Sequence, residues 1–183
     1  LIDMGVDPFL IAPTLIIAIA QRLLRTLCPD SGKPIPIQGA IEAMISKQFE
    51  DLPEQYRTNL GLGENLYEIE PTSECPNGTR GRTAVMEILE MNDELEHVML
   101  TNPVDEEIQK IARKNGMLTM KEDAIIKSSH GIVPFEEVNT LGGDLLVDEE
   151  VKEIDKEMSR KEIEATLEEQ GETPEEPPET LEV

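Results

Sequence analysis

This chain of 183 residues has no tryptophan, two tyrosines and three phenylalanines. Aromatic rings cannot fill its core, so aliphatic side chains and eight methionines must do so. Cysteine is equally scarce. Two residues, Cys28 and Cys75, argue against a disulfide-built secreted fold and for a reducing compartment. Positive charge is in short supply as well: 16 Lys and Arg stand against 39 Asp and Glu, a net charge of −23. No basic stripe is visible, which speaks against DNA or RNA as a direct partner, because nucleic-acid binding needs a basic footprint to release counterions. The longest apolar run, Phe9 to Ala20, is too short to span a bilayer and is broken by Pro13, so no direct membrane insertion is expected. No charged-then-apolar leader precedes it. A phosphate-binding loop, GxxxxGK followed by Ser or Thr, is missing too; the glycines near Gly61 and at Gly142 lack the Lys and the helix entry and read as turns.

The charge that is present is uneven. Asp144 to Val183 holds 16 acidic against 4 basic residues and carries −12, and its last stretch, "GETPEEPPETLEV", reads as disordered. Gly142-Gly143 marks its boundary. Upstream, Asp7 followed by Pro8 reads as a helix entry. Leu15, Ile16, Ile19, Leu23 and Leu24 recur at three- and four-residue spacing, which predicts a helix, with Arg22 and Arg25 at its C-terminal end. Ile17, Ala18 and Ala20 make the rest apolar, so this helix should be buried on most sides and should pack against something that precedes it. That need, and a chain opening on Leu1, lead to the expectation of a piece of a longer protein.

Pro29 to Ile37 reads as an irregular connection, and Gly39 to Phe49 as a short amphipathic helix. Asn59 to Asn65 is a glycine-rich loop. Leu66–Ile69 and Thr83–Leu89 read as two strands of a hairpin. Four helices follow: one capped by Asn92, one by Asp105 with Gly116 as its stop, one opened by the capping box Thr119/Glu122, and one opened by Pro134. His97 and His130 read as surface residues, and the pairs Glu106-Glu107 and Glu136-Glu137 as solvated helix starts.

Three blocks, in order, carry a family resemblance. "LIDMGVDPFLIAPTLIIAIAQRLLRTLCP" at Leu1–Pro29, "GTRGRTAVMEILEMNDEL" at Gly78–Leu95, and "IARKNGMLTMKEDAIIKSSHGIVPFEEV" at Ile111–Val138 resemble the segment after the catalytic motifs in secretion ATPases of the type II secretion and type IV pilus assembly family. The resemblance covers roughly residues 1–140. It implies an α/β fragment, mainly helical with a small β-hairpin, forming the C-terminal part of a RecA-like P-loop ATPase domain, followed by the acidic tail. The implied divisions are a buried helical segment at 1–28, a degenerate zinc-motif region at 29–81, a strand with a C-terminal helical subdomain at 82–141, and the tail at 142–183. It further implies a hexameric ring, ATP with Mg in the parent protein, an inner-membrane platform protein and cytoplasmic secretion or pilus components as partners, and a place in the cytoplasm at the inner membrane. The chain by itself lacks the Walker segments and is expected not to hydrolyse ATP. The alternative is a non-catalytic module docking a platform protein through the acidic tail.

The resemblance also nominates residues. Family members often hold zinc between two CxxC pairs; here Cys28 and Cys75 keep one position of each, while Ser31 and Thr72 occupy the others, and hydroxyls are poor zinc ligands. Three readings stay open: two ordinary cysteines in a decayed site, a weak zinc site, or an oxidation-dependent disulfide. Arg82 matches a family arginine lying toward the nucleotide, where a guanidinium could pair with phosphate oxygens; the other reading is an arginine that holds the hairpin to a helix. Gln21 and Arg22 match the family's "AQR" and are assigned to packing and capping at a helix end.

Overall fold

The computed structural model describes residues 4–29 and 31–142; the acidic tail, and with it the expectation of disorder, lies outside the described residues. The chain divides into two units, residues 1–143 and 144–183. The described elements run α1 (Pro8–Ile11), β1 (Ile17–Leu27), β2 (Lys33–Pro36), α2 (Ala40–Gln48), α3 (Glu54–Arg57), β3 (Asn65–Glu68), β4 (Thr79–Glu90), α4 (Asp93–Thr101), α5 (Asp105–Lys114), α6 (Met120–Ser129) and α7 (Phe135–Val138). Mixed α/β architecture with a predominance of helices agrees with the sequence.

The main departure is at the start. The helix read over Leu15–Leu24 is instead an 11-residue strand, Ile17–Leu27, so the helical segment assigned to residues 1–28 shrinks to the single turn of α1. An apolar residue at nearly every position satisfies both a period of 3.6 and a period of 2, so spacing alone does not choose between them. What decides is β-branching at Ile16, Ile17, Ile19 and Thr26, and a long partner strand. β1 pairs antiparallel with β4 from Ile17↔Glu90 to Arg25↔Arg82, and the register shifts between Arg25 and Leu27. The hairpin expected between residues 66–69 and 83–89 is corrected accordingly: β3 pairs with β2, and β4 with β1, in two separate two-stranded sheets. β2 hides in the "irregular" Pro29–Ile37 stretch because its sequence is Lys-Pro-Ile-Pro. Proline fits only an edge strand, and a two-stranded sheet consists of edges.

The helices follow their local signals closely. Asp7 caps α1 through a 3.0 Å bond from the Phe9 N–H, with Pro8 at the first helical position. Asn92 caps α4 by accepting from Leu95 N–H at 2.9 Å. The Thr119/Glu122 capping box is present on both sides. α5 begins at Asp105, which lies in the first turn, while Val104 takes the cap position. Gly116 ends α5 at φ 89°, and a Cβ there would meet the Tyr56 ring at 2.7 Å, so no side chain fits.

Two packing features fix the frame. Ile11, Ala12 and Met99 form a buried cluster, with Leu15, Met91, Leu100 and Ile108 packed against it, which ties α1 to α4. Between α5 and α6, Arg113 is buried and donates to Glu122 through two bonds of 2.7 Å, to the Met117 carbonyl at 2.6 Å, and to Asp51 at 2.9 Å through Nε, with a second, shorter bond from Nη2. Burial disfavours the Arg113 charge, but the bonds to Asp51 and Glu122 outweigh it and hold its pKa above the ordinary value. The Arg113 hydrogen bond in turn lowers the Asp51 pKa, against an opposing effect of burial. Glu122 serves both the capping box and this network, so the sharp turn at 115–119 is locked from both sides.

Candidate functional site

The functional features gather on the β1–β4 ribbon and at its far end. In antiparallel pairing every second residue turns its N–H and C=O away from the partner strand. On β4 these outward groups meet α6: Asp123 accepts from Met86 N–H at 2.8 Å, and Lys127 donates to the Ala84 carbonyl at 2.9 Å. Asp123 and Lys127 also pair with each other, closing the edge with charged side chains. On β1 the outward groups belong to Ile17, Ile19, Gln21, Leu23 and Arg25. Arg25 is covered: its N–H donates to Glu137 Oε2 at 3.0 Å, and its guanidinium reaches Glu137 Oε1 from Nε at 2.7 Å. Among the described residues, no strand pairs with the β1 edge from Ile17 to Leu23.

One face of the ribbon is apolar and open. Ile17, Ile19 and Leu23 of β1 share it with Met86 and Ile88 of β4, and Leu23 is 60% and Ile19 56% exposed. The opposite face carries Leu24 and Val85, which are buried. The expectation that this segment is buried on most sides is therefore corrected. Its apolar surplus remains, turned outward on a strand.

The nominated residues fall as follows. Gln21 and Arg22 lie in mid-strand, both exposed, and not at a helix end; they pair in register with Met86 and Val85. Arg82 is exposed, stands directly opposite Arg25, and has no hydrogen-bond partner among the described residues. The arginine that fastens the ribbon to a helix is Arg25, through Glu137 of α7. Glu137 is buried, so of this pair Glu136 alone is exposed at the helix start, where it accepts from Ile69 N–H at 3.1 Å. Sequence reasoning missed the Arg25–Glu137 contact because the partners are 112 positions apart and Arg25 already had a role as a helix-end charge. His97 and His130 are exposed, and Glu106 and Glu107 face solvent beside Lys110.

At the ribbon's far end Cys28 and Cys75 are joined in a disulfide, with Cα atoms 6.6 Å apart. The donor set does not suit zinc. The two sulfurs are bonded to each other, the Ser31 hydroxyl donates to the Cys28 carbonyl at 2.9 Å, and Thr72 Oγ1 accepts from Cys75 N–H at 3.1 Å. Of the three open readings the structure takes the disulfide. ATP and Mg find no phosphate-binding loop in the sequence, so no nucleotide step is assigned to these residues.

Comparison with known proteins decides the family. The sequence model of the Type II/IV secretion system protein family matches residues 1–140. The chain belongs to that family. It is 34% identical over 143 residues to a type IV pilus assembly ATPase, PilB, of Thermus thermophilus, covering 74% of this chain and 14% of the relative. It is 34% identical over 139 residues to a type II secretion system protein E of Xanthomonas campestris pv. campestris, covering 75% and 23%. With the PilB of Pseudomonas aeruginosa it shares 30% over 144 residues, 79% and 24% of the two chains. The chain thus spans a quarter or less of these relatives' length. No helix among the described residues is long and apolar enough to cross a membrane.

Proposed function

We propose that this chain is the C-terminal portion of a hexameric traffic ATPase that powers type IV pilus assembly or type II secretion by ATP hydrolysis. In this reading it supplies packing and subunit contacts to a RecA-like domain, and the phosphate-binding half lies elsewhere in the assembly. The observation that carries the reading is the open apolar face of the ribbon beside a β1 edge that no strand among the described residues pairs, a surface suited to packing against another part of a larger domain. Arg82 is then the nucleotide-proximal residue: an exposed guanidinium with no described partner is available to phosphate oxygens. Gln21 and Arg22 act as packing residues of the same strand. The implied partners are further copies of the parent, an inner-membrane platform protein and cytoplasmic secretion or pilus components, and the implied place is the cytoplasmic side of that membrane.

A second reading draws on a different observation. Residues 144–183, with their charge of −12, lie beyond the family match, and a segment so acidic could dock a basic platform protein without any catalysis. The readings part in one experiment. The purified chain is assayed for ATP turnover and for binding of a hydrophobic dye, alone and fused behind the nucleotide-binding segment of a relative. The ATPase reading expects no turnover and strong dye binding alone, with turnover restored and dye binding lost in the fusion. Turnover by the isolated chain, or a fusion that leaves the ribbon face open to dye, overturns it.

A further inference from the structure

We propose that Cys28 and Cys75 are a reversible redox pair, a covalent modification site that opens and closes by thiol–disulfide exchange at the far end of the β1–β4 ribbon. The proposal does not depend on the ATPase reading. It rests on how the two cysteines are held, how unequally they are exposed, and what lies between them.

Backbone geometry keeps the pair together whether or not the sulfurs are joined. Cys28 sits in a turn in which Ser31 N–H donates to the Cys28 carbonyl at 3.1 Å. Cys75 sits in another, where Thr72 and Cys75 exchange backbone bonds of 3.0 and 3.2 Å. The turns are stitched by Cys28 N–H to the Gly78 carbonyl at 3.2 Å, while Gly78 N–H returns to the Cys75 carbonyl at 2.9 Å. Gly78 can do this because its φ is 65°, and a Cβ would meet Ile69 Cγ2 at 2.5 Å. Reduction leaves all these bonds in place. The freed thiols stay adjacent, the Thr79 carbonyl lies 3.8 Å from Cys75 Sγ as an acceptor for the thiol hydrogen, and reclosure is intramolecular.

Exposure sets the order of events. Cys28 is buried, whereas Cys75 is half-buried in a loop whose residues 71–74, 76 and 77 are exposed. An incoming thiolate, such as that of glutathione, reaches the Cys75 sulfur first. It forms a mixed disulfide with Cys75 and expels Cys28 as a thiolate, which takes up a proton. A second thiolate attacks the glutathione sulfur of the mixed disulfide and releases Cys75. The balance is one protein disulfide plus two thiols giving two protein thiols and one small-molecule disulfide, a two-electron exchange; oxidation runs the same path in reverse. The span closed by the bond contains β2, α2, α3 and β3, so the redox state sets how firmly that part of the chain is tied to the ribbon. A cross-link across 47 positions restricts the unfolded chain strongly.

The test uses the full chain in glutathione buffers from fully reduced to fully oxidised, quenched by alkylation and read by intact mass and thermal melting. The expected result is one transition in which two thiols appear or vanish together, with the reduced form melting roughly 5–15 °C lower. In the Cys28→Ser variant the remaining Cys75 takes up glutathione readily. In Cys75→Ser the remaining Cys28 labels slowly while native and fully after unfolding. A pair that stays a disulfide in full reduced glutathione is a fixed cross-link and overturns the proposal. So does a pair that stays reduced in full oxidised glutathione, or one that retains stoichiometric zinc. Should either variant fail to fold, the unmodified chain's titration decides alone.

Discussion

The helices from α4 to α7 and the β1–β4 ribbon solve the same problem in opposite ways. The starts of α4 and α6 are written into their own sequence by Asn92 and the Thr119/Glu122 capping box, and the buried Arg113 charge finds Glu122 nine positions away, in the next helix, in addition to Asp51. The ribbon has no such closure. One face buries Leu24 and Val85, the other turns Ile19, Leu23 and Ile88 to solvent, and most of one edge has no partner strand among the described residues. The helical part is built as a finished object. The ribbon is built as a joint.

The largest effect should come from breaking the finished part. Arg113→Met leaves Glu122 buried without its charge partner, and a loss of about 3–5 kcal/mol in a urea melt is expected. Adding Glu122→Leu should recover much of it, since paired removal leaves no orphaned charge. A loss in the single variant no greater than that in the double would show that the network is not what locks the 115–119 turn.

The ribbon gives the sharper contrast, because its two faces should respond differently to similar changes. Leu24→Ala, on the buried face, should cost about 2–5 kcal/mol. Ile19→Thr with Ile88→Thr, on the open face, should change stability by less than about 1 kcal/mol while lowering dye binding and self-association. Equal losses on the two faces would mean that the open face is covered within this chain after all.

The smallest effect is a pH dependence. The bond from Arg113 holds the Asp51 carboxyl below its ordinary value of 3.8. A depressed pKa stabilises the fold above the unfolded value, and that contribution disappears as the pH falls through the lower, folded one. Asp51 is largely exposed, so solvent screening limits the contribution to about 1 kcal/mol or less. The stability curves of the unmodified chain and of Asp51→Asn should therefore differ near neutrality and converge in acid; a gap that widens in acid would reverse the sign.

Legibility in the sequence follows the same division. The caps at Asp7, Asn92 and Thr119 and the stop at Gly116 were readable because each signal lies within a few residues of the element it controls. The strand at Ile17–Leu27 was not, because its identity depends on a partner some 60 positions downstream and its composition suits either period. Arg25–Glu137 failed for the same reason. At the candidate site, Arg82 and the two cysteines were nominated by resemblance, which left plain thiols, a weak zinc site and a disulfide open for Cys28 and Cys75, and the folded geometry brings one sulfur to the other.

Glu137 does more than fasten α7 to the ribbon. By occupying the outward N–H of Arg25, with Leu27 N–H taken by the Ile132 carbonyl, it closes the C-terminal end of the β1 edge. Any strand laid along β1 must stop short of that carboxylate, which leaves Ile17 to Leu23, about 20–25 Å of ladder at roughly 3.3 Å per residue. The carboxylate is thus a ruler: it fixes how long the next strand can be, and where it has to turn away.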